Sequence, residues 1–357
     1  MAERRHFLQL DALRGVAAIC VMLGHAHGAA LPQARLAVDF FFMLSGFVIA
    51  YSYEERLRRG MPFGAFILRR VIRLYPMIVI ASVSGFLCAV FAISVGATGM
   101  SIIEAAVLSL RSLALLPRLA ETDGLVGVFP LDTVLWSLFF EIIANAIYGM
   151  GFFRMEKIGL AAVMAASLAL VVASGDVGGN TVDNFAAGYP RIGFGFFLGV
   201  LLYKASRDWA AHIPAVKVRW LGVALVGALS VRADLAGLKL IPVFAALAAI
   251  VLLAAQANDN GKNSASKALG ELSYPLYAVH LPIYNFLTIG LLQEIADPRL
   301  VSLSVIAGLL FGALPISYLV FHRVDVPARR FLTRRLVTPA SARASTALGA
   351  GAAIDLG

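Results

Sequence analysis

Two ionisable side chains in the first apolar stretch of the chain, Arg14 and His25, have a spacing that suits a path through a membrane. Eleven positions on an α-helix correspond to about 16 Å of rise and an angular offset of about 20°, so both side chains share one face. Ionisable groups inside a bilayer cost about 2.5 to 3.5 kcal/mol on insertion scales and are interpreted first as functional groups facing the protein interior. The alternative is that Arg14 snorkels to lipid headgroups and that His25 lies at the outer interface.

Three arginines in the string FILRRVIRLYP form a second group that could bind a ligand. Arg70 and Arg73 are three residues apart and lie on one helical face, with Arg69 alongside. Each guanidinium presents a planar fork of donors that matches the oxygens of a phosphate. The cluster therefore predicts a phosphate-binding site at a cytoplasmic membrane boundary. Ordinary anchoring by positive residues on the inside is the alternative.

Two acids lie in apolar surroundings, where a carboxylate needs a partner. Glu141 is the sole acid well inside its stretch, and Asp39 lies near the start of the stretch VDFFFMLSGF. An unpaired carboxylate at membrane depth would be protonated or destabilising, so we expect a partner such as His25 or an arginine for Glu141. A purely structural ion pair is the alternative for Glu141, and a solvated helix cap is the alternative for Asp39.

Further polar and aromatic side chains accompany these groups. Ser45 stands beside a glycine, Trp136 takes an interface position, and Tyr274, Tyr277 and His280 recur at three-residue intervals. That interval places the last three on one face of a helix. Close helix packing is the alternative for Ser45, and a hydrogen-bonded core histidine is the alternative for His280.

The composition shows what must hold these residues in place. Hydrophobic residues make up 60% of the 357 positions and charged residues only 14%, against about a quarter charged in an ordinary globular domain. The net charge of +9 does not indicate nucleic acid, because the basic residues are interleaved with long apolar runs. Cys20 and Cys88 have no metal or disulfide spacing, and His25 and His27 point apart on a helix, so we predict no metal site.

Apolar stretches long enough to span a bilayer define the fold class. A crossing helix needs roughly 17 to 25 mostly apolar residues. The candidate stretches are 14–31, 36–53, 75–97, 102–117, 131–152, 158–174, 189–203, 218–232, 240–256, 272–293 and 300–322. Basic residues near both chain ends indicate cytoplasmic termini and an even number of crossings. We therefore predict an all-α polytopic membrane bundle of about ten spans, in which 102–117 is a re-entrant or interfacial helix.

The chain ends carry their own expectations. A cleavable signal peptide is the alternative for the first apolar run, but such a peptide does not usually carry an Asp11/Arg14 pair or two histidines. The Ala-, Ser- and Gly-rich segment 338–357 is predicted to be a disordered tail. Residues 1–337 then form one membrane domain.

In order along nearly the whole chain, these strings resemble the acyltransferase-3 family of membrane acyltransferases. The resemblance rests on LDALRGVAAICVMLGH at 10–25, VDFFFMLSGFVI at 38–49, RRVIRLYP at 69–76, LWSLFFE at 135–141 and LGELSYPLYAVHLPI at 269–283. The family signature of Arg, ten residues and His falls on Arg14 and His25, and its Arg-x-x-Arg signature falls on Arg70 and Arg73. The second acid and aromatic pair that often follow the family's Trp-Ser-Leu-x-x-Glu string are not present after Glu141.

The resemblance implies a multi-pass protein of the inner (cytoplasmic) membrane that moves an acyl group, usually acetyl. The donor would be cytoplasmic acyl-coenzyme A and the acceptor a hydroxyl of a surface or secreted glycan or of a lipid-linked sugar. We assign catalysis to His25, Glu141 and Asp39, with His25 as general base or transient acyl carrier and an acid orienting its ring. The other assignments are coenzyme A binding by Arg14, Arg69, Arg70 and Arg73, and substrate binding by Ser45, Trp136, Tyr274 and His280.

A transporter or flippase for a lipid-linked sugar is the competing class, because it would also place charges at membrane depth. The chain shows no internal repeat of two halves, and its arginine cluster lies at one boundary instead of midway. A non-catalytic scaffold would explain the apolar spans but not the buried polar residues.

Overall fold

A computed structural model describes most of the chain. The described residues are 7–120, 125, 127–175, 177–209, 214, 216–232, 236–256, 264–295 and 297–337. The predicted disordered tail 338–357 lies outside them, as do the first six residues, so both expectations about the chain ends remain predictions.

The described part of the chain is helical apart from its loops, and an isolated antiparallel bridge joins Gly127 to Thr181. The helices are α1 (Leu8–Ala26), α2 (Ala37–Arg58), α3 (Phe63–Ser94), α4 (Ile102–Leu113), α5 (Leu135–Met150), α6 (Lys157–Ser174), α7 (Gly188–Trp209), α8 (Val218–Leu229), α9 (Leu240–Gln256), α10 (Ser264–Glu294), α11 (Pro298–Gly308), α12 (Leu314–Val320) and α13 (Val326–Leu332). Short π-helical turns join α11, α12 and α13 into one long segment. The predicted all-α class is confirmed.

Many of these helices are long and apolar enough to cross a membrane. Seven segments meet both criteria within the described residues, and Leu135–Met150 and Val218–Leu229 are apolar but shorter. A multi-pass membrane protein is therefore confirmed, while the count of ten spans and the cytoplasmic termini stay predictions.

Helix α4 differs from the spans in length and in its exposed face. Its 12 residues rise about 18 Å, which is less than the roughly 30 Å of a hydrocarbon core. Ile103 and Leu110 are exposed, whereas Ala105 and Leu108 are buried. The Ser101 hydroxyl caps the first turn by accepting from the Glu104 amide at 3.1 Å. This short amphipathic helix has the form expected of an interfacial segment.

Two helices begin earlier in the chain than the apolar stretches predicted. Helix α3 begins at Phe63 and α10 at Ser264, although hydropathy alone started these stretches at 75 and 272. Both extensions carry charged residues that hydropathy excludes. Pro76 lies inside α3 without ending it, because neighbouring helices can compensate for a proline within a membrane bundle. The arginine cluster is therefore helical.

Helices α2 and α7 touch through glycines. A Cβ added at Gly46 would lie 1.9 Å from the carbonyl oxygen of Phe196, and one added at Gly199 would lie 2.0 Å from the carbonyl oxygen of Met43. Only a missing side chain allows this separation, so the glycine beside Ser45 serves close helix packing.

Substitution of Gly46 by alanine is expected to destabilise the bundle, because the new methyl group must push two backbones apart. Overpacking of this kind costs about 1–3 kcal/mol and occasionally more. Thermal unfolding in detergent would measure the loss. Gly222→Ala on α8 is the control, since a Cβ there meets nothing within 4 Å; equal melting temperatures for the two variants would contradict the prediction.

Candidate active site

Two neighbouring cavities lie within the bundle. The first, here the inner cavity, has a volume of about 120 Å³. Its polar lining comprises Arg14, Ser45, Arg70, Arg73, Ser137, Glu141, Ser273, Tyr274 and Tyr277. The second, here the outer cavity, has a volume of about 480 Å³. Its polar and aromatic lining comprises His25, Arg35, Thr133, Trp136, Asn180, Thr181, Asn184, Arg191 and Tyr277. Val38 and Tyr277 line both cavities and form the wall between them.

Tyr277 closes that wall with a hydrogen bond. Its hydroxyl lies 2.9 Å from the Ser137 hydroxyl, and both side chains are buried. Phe41 packs edge-on against the tyrosine ring at 5.4 Å between centroids. Tyr277 is therefore held in place between the two cavities.

The arginine cluster lines a third cavity next to the inner cavity. Arg69, Arg70, Arg73 and Arg329 line an opening of about 250 Å³ that also includes Tyr53 and Thr333, here the basic mouth. Arg70 and Arg73 line both the mouth and the inner cavity. In the described chain, Arg69 Nε and Arg73 Nη1 are buried without a hydrogen-bond partner. Buried donors of this kind are suited to an anionic ligand.

Glu141 is held on the inner-cavity side by α2 and α3. Its Oε1 atom accepts from Ser45 Oγ at 2.7 Å and from Arg70 Nη2 at 3.2 Å. Arg70 Nε also donates to Asn145 Oδ1 at 2.9 Å. Ser45 therefore positions Glu141, and the partner expected for this buried acid is Arg70.

Arg73 and Arg14 both line the inner cavity. The Arg73 guanidinium lies over the ring of Tyr274 at 5.2 Å, and its Nη1 atom is 3.7 Å from buried Asp325. Arg14 pairs with Asp11 at 2.8 Å and donates to Ser273 Oγ at 2.9 Å. Since α10 supplies both Tyr274 and Ser273, this helix positions the two cations.

His25 lies in the last turn of α1 and faces the outer cavity, where it is exposed. Its ring centroid lies 5.4 Å from that of His280 and 6.4 Å from that of Tyr284, both on α10. Helices α1 and α10 run side by side in one direction, because Arg14 contacts Ser273 and His25, further along α1, lies against His280, further along α10. The predicted line from Arg14 to His25 thus follows the α1–α10 contact from the inner to the outer cavity.

The expected acid partner of His25 is corrected by the structure. Both oxygens of Asp39, which is fully buried, bind Arg191: Nε lies 3.0 Å from Oδ1 and Nη2 lies 2.8 Å from Oδ2. Glu141 is engaged by Arg70 and Ser45 in the other cavity. Neither carboxylate therefore orients the imidazole of His25, and Asp39 instead fixes Arg191 at the outer cavity.

The predicted substrate residues separate into three groups. Trp136 lines the outer cavity, and the Arg191 guanidinium carbon lies 5.0 Å from the centroid of the Trp136 ring. Ser45 and Tyr274 line the inner cavity. His280 is fully buried and lines neither cavity. Direct substrate contact by His280 is therefore corrected, because other side chains surround its ring.

Several site residues were missed in the sequence. Arg191 lies near the start of the stretch 189–203, where an arginine could have been expected to bind a buried acid. Tyr277 shares its helical face with Tyr274, but no sequence signal showed that it separates two cavities.

Comparisons with known proteins identify the family that the chain matches. The profile of the acyltransferase-3 family, described as an acyltransferase domain, matches residues 7–322. A curated protein of Rhizobium radiobacter, named "Protein 2 in picA locus", is 36% identical over 157 residues, which cover 40% of this chain and 80% of the relative. No solved structure matches the chain at a significant level.

Proposed function

Because the chain belongs to the acyltransferase-3 family and is a multi-pass membrane acyltransferase, we propose that it transfers an acetyl group from cytoplasmic acetyl-coenzyme A to a sugar hydroxyl. The acceptor is a surface or secreted glycan or a lipid-linked sugar at the outer side of the inner membrane. The observation that carries this proposal is the arrangement of the basic mouth, the inner cavity and the outer cavity in a row. The mouth and the inner cavity share Arg70 and Arg73, and the inner and outer cavities share Val38 and Tyr277.

The basic mouth supports binding of the coenzyme A phosphates. Arg69, Arg70 and Arg73 present planar donors, and Arg329 adds a fourth guanidinium. The inner cavity is too narrow for the nucleotide, so the adenine end stays at the mouth. An extended pantetheine arm follows the inner cavity past Arg14 and Tyr274 toward Tyr277.

The outer cavity supports binding of a polyhydroxylated acceptor. Side-chain amides and hydroxyls from Asn180, Thr181 and Thr133 line it, together with the indole of Trp136 and the guanidinium of Arg35. Sugar hydroxyls need donors and acceptors of this kind, and sugar C–H groups pack on aromatic rings. Its greater volume fits a sugar better than the inner cavity does.

His25 supplies the proton transfer in this mechanism. Its imidazole takes the proton of the acceptor hydroxyl while the oxygen attacks the thioester carbonyl. The tetrahedral intermediate collapses, the C–S bond breaks, and the imidazolium returns its proton to the departing sulfur. In a second route the imidazole itself attacks the thioester, and an acyl-histidine then passes the acyl group to the sugar oxygen.

Purified protein with radiolabelled acetyl-coenzyme A is expected to release free thiol and to label a glycan or lipid-linked sugar fraction from a deletion strain. The label should form an alkali-labile ester. Thiol release that requires the acceptor supports direct attack, whereas a stoichiometric burst of thiol without acceptor supports the acyl-histidine route.

The same assay separates acyl transfer from transport. Vesicles that move an unmodified lipid-linked sugar across the bilayer, without thiol release in the presence of acetyl-coenzyme A and acceptor, would overturn the proposal in favour of a flippase. Mass spectrometry of the product provides the second readout, since each transfer adds the mass of one acetyl group.

A further inference from the structure

One ring nitrogen of the buried His280 has a fixed role. Its Nδ1 atom lies 3.0 Å from the carbonyl oxygens of both Leu276 and Tyr277. A carbonyl oxygen only accepts hydrogen bonds, so Nδ1 carries a proton. In a neutral imidazole the other nitrogen is then an acceptor. That atom, Nε2, is buried with no hydrogen-bond partner among the described residues.

An unsatisfied buried acceptor is costly, and the ring of His25 lies next to it. The two ring centroids are 5.4 Å apart and the rings are inclined by 37°. His25 is exposed toward the outer cavity and has room to rotate. Catalytic hydrogen bonds are often long before substrate binds and shorten in the complex. A hydrogen bond from an N–H group of His25 would satisfy the buried Nε2 atom of His280.

The charged groups and the tyrosines nearest His25 are engaged elsewhere or only donate hydrogen bonds. Arg35 and Arg191 line the same cavity and are cations that only donate. Tyr277 is bound to Ser137 in the wall, and Tyr284 lies further away, at 6.4 Å between ring centroids. Asp39 binds Arg191 through both of its oxygens. His280 Nε2 is a buried hydrogen-bond acceptor next to His25 that has no partner among the described residues.

We propose that His280 positions His25 by accepting a hydrogen bond at Nε2. This bond fixes the tautomer and the ring plane of His25, so that its second nitrogen presents a lone pair to the acceptor hydroxyl. The role is that of the carboxylate in a catalytic triad, taken here by a neutral imidazole whose own tautomer is set by backbone carbonyls. The inference rests on the proposed function and assigns His280 as a positioning residue.

Two conservative variants separate positioning from packing. In His280→Asn the amide can replace Nδ1, which binds the backbone, but nothing replaces Nε2. In His280→Gln the amide reaches the place of Nε2. Positioning predicts that His280→Asn lowers kcat about tenfold or more with an unchanged KM for acetyl-coenzyme A, and that His280→Gln restores most of the loss. A more active Asn variant, or wild-type activity in both, would overturn the proposal.

A readout without acyl transfer keeps this inference distinct from the proposed function. Diethyl pyrocarbonate modifies the unprotonated nitrogen of an imidazole, and mass spectrometry gives the rate at His25. The rate is expected to fall in His280→Asn and to recover in His280→Gln. Equal rates in all three proteins would overturn the positioning role, whereas a wild-type protein that releases no thiol would overturn only the enzymatic proposal.

Discussion

His25→Ala is expected to abolish acetyl transfer while the protein stays folded in the membrane. The exposed imidazole of His25 faces the outer cavity at the end of α1, and its removal leaves the acceptor hydroxyl without a base. General-base assistance contributes about 10²- to 10⁴-fold to rate, so kcat should fall at least that far. The measurement is transfer of radiolabel from acetyl-coenzyme A to the sugar fraction. Binding of coenzyme A should persist, because the basic mouth is built by other residues.

His27→Ala provides the matched control for this variant. His27 follows at the C-terminal cap of α1 and is exposed as well, but it does not line either cavity. We expect near-normal transfer from this protein. Full transfer by His25→Ala, or an equal loss in both variants, would remove His25 from the reaction centre.

The placement of Arg14 and His25 on one face of α1 could be predicted because it depends on local helix geometry alone. A regular helix puts Arg14 and His25 on one face whatever packs against it, and the structure keeps both side chains along α10. The arginine cluster is likewise local. Its interpretation as anchoring is incomplete, because Arg70 and Arg73 line the inner cavity as well as the mouth.

The pairing of buried charges could not be predicted in the same way. Asp39 and Arg191 are 152 positions apart and meet because α2 packs on α7 at Gly46. Sequence spacing contains no information on which helices become neighbours. For Asp39 the sequence left open a solvated helix cap or a site residue, whereas the packing buries its carboxylate, which requires a partner, against Arg191.

The proposed role of His280 depends on its contact with His25, which sequence patterns do not show. The helical interval placed it on the face of Tyr277, which the structure retains. Whether its ring meets a substrate or another histidine depends on the depth at which α10 packs against α1. The close contact at Gly15, where an added Cβ would lie 2.4 Å from the carbonyl oxygen of Leu269, sets that depth.

The double variant Arg70→Lys with Arg73→Lys is expected to raise the KM for acetyl-coenzyme A by about 10²-fold or more. Lysine keeps the charge but loses the planar fork of donors, and one charge-assisted hydrogen bond contributes about 1.5–3 kcal/mol. Arg70 already binds Glu141 and Asn145, which a single ammonium group cannot do in the same geometry. Steady-state kinetics with varied acetyl-coenzyme A give the two constants separately.

The Arg73 single variant isolates ligand binding from packing. Its guanidinium lies 3.7 Å from Asp325 and has a buried nitrogen without a hydrogen-bond partner in the described chain, so Arg73→Lys should raise KM with little loss of folded protein. Arg59→Lys is the control, because that side chain is exposed and pairs with Glu55 on the same helix turn. If the cluster only anchors the helix on the positive side, all these variants would share the wild-type KM, since each retains its charge. A KM that rises only in the Arg70 and Arg73 variants requires a ligand whose binding depends on the planar donors of the guanidinium, as that of a coenzyme A phosphate does.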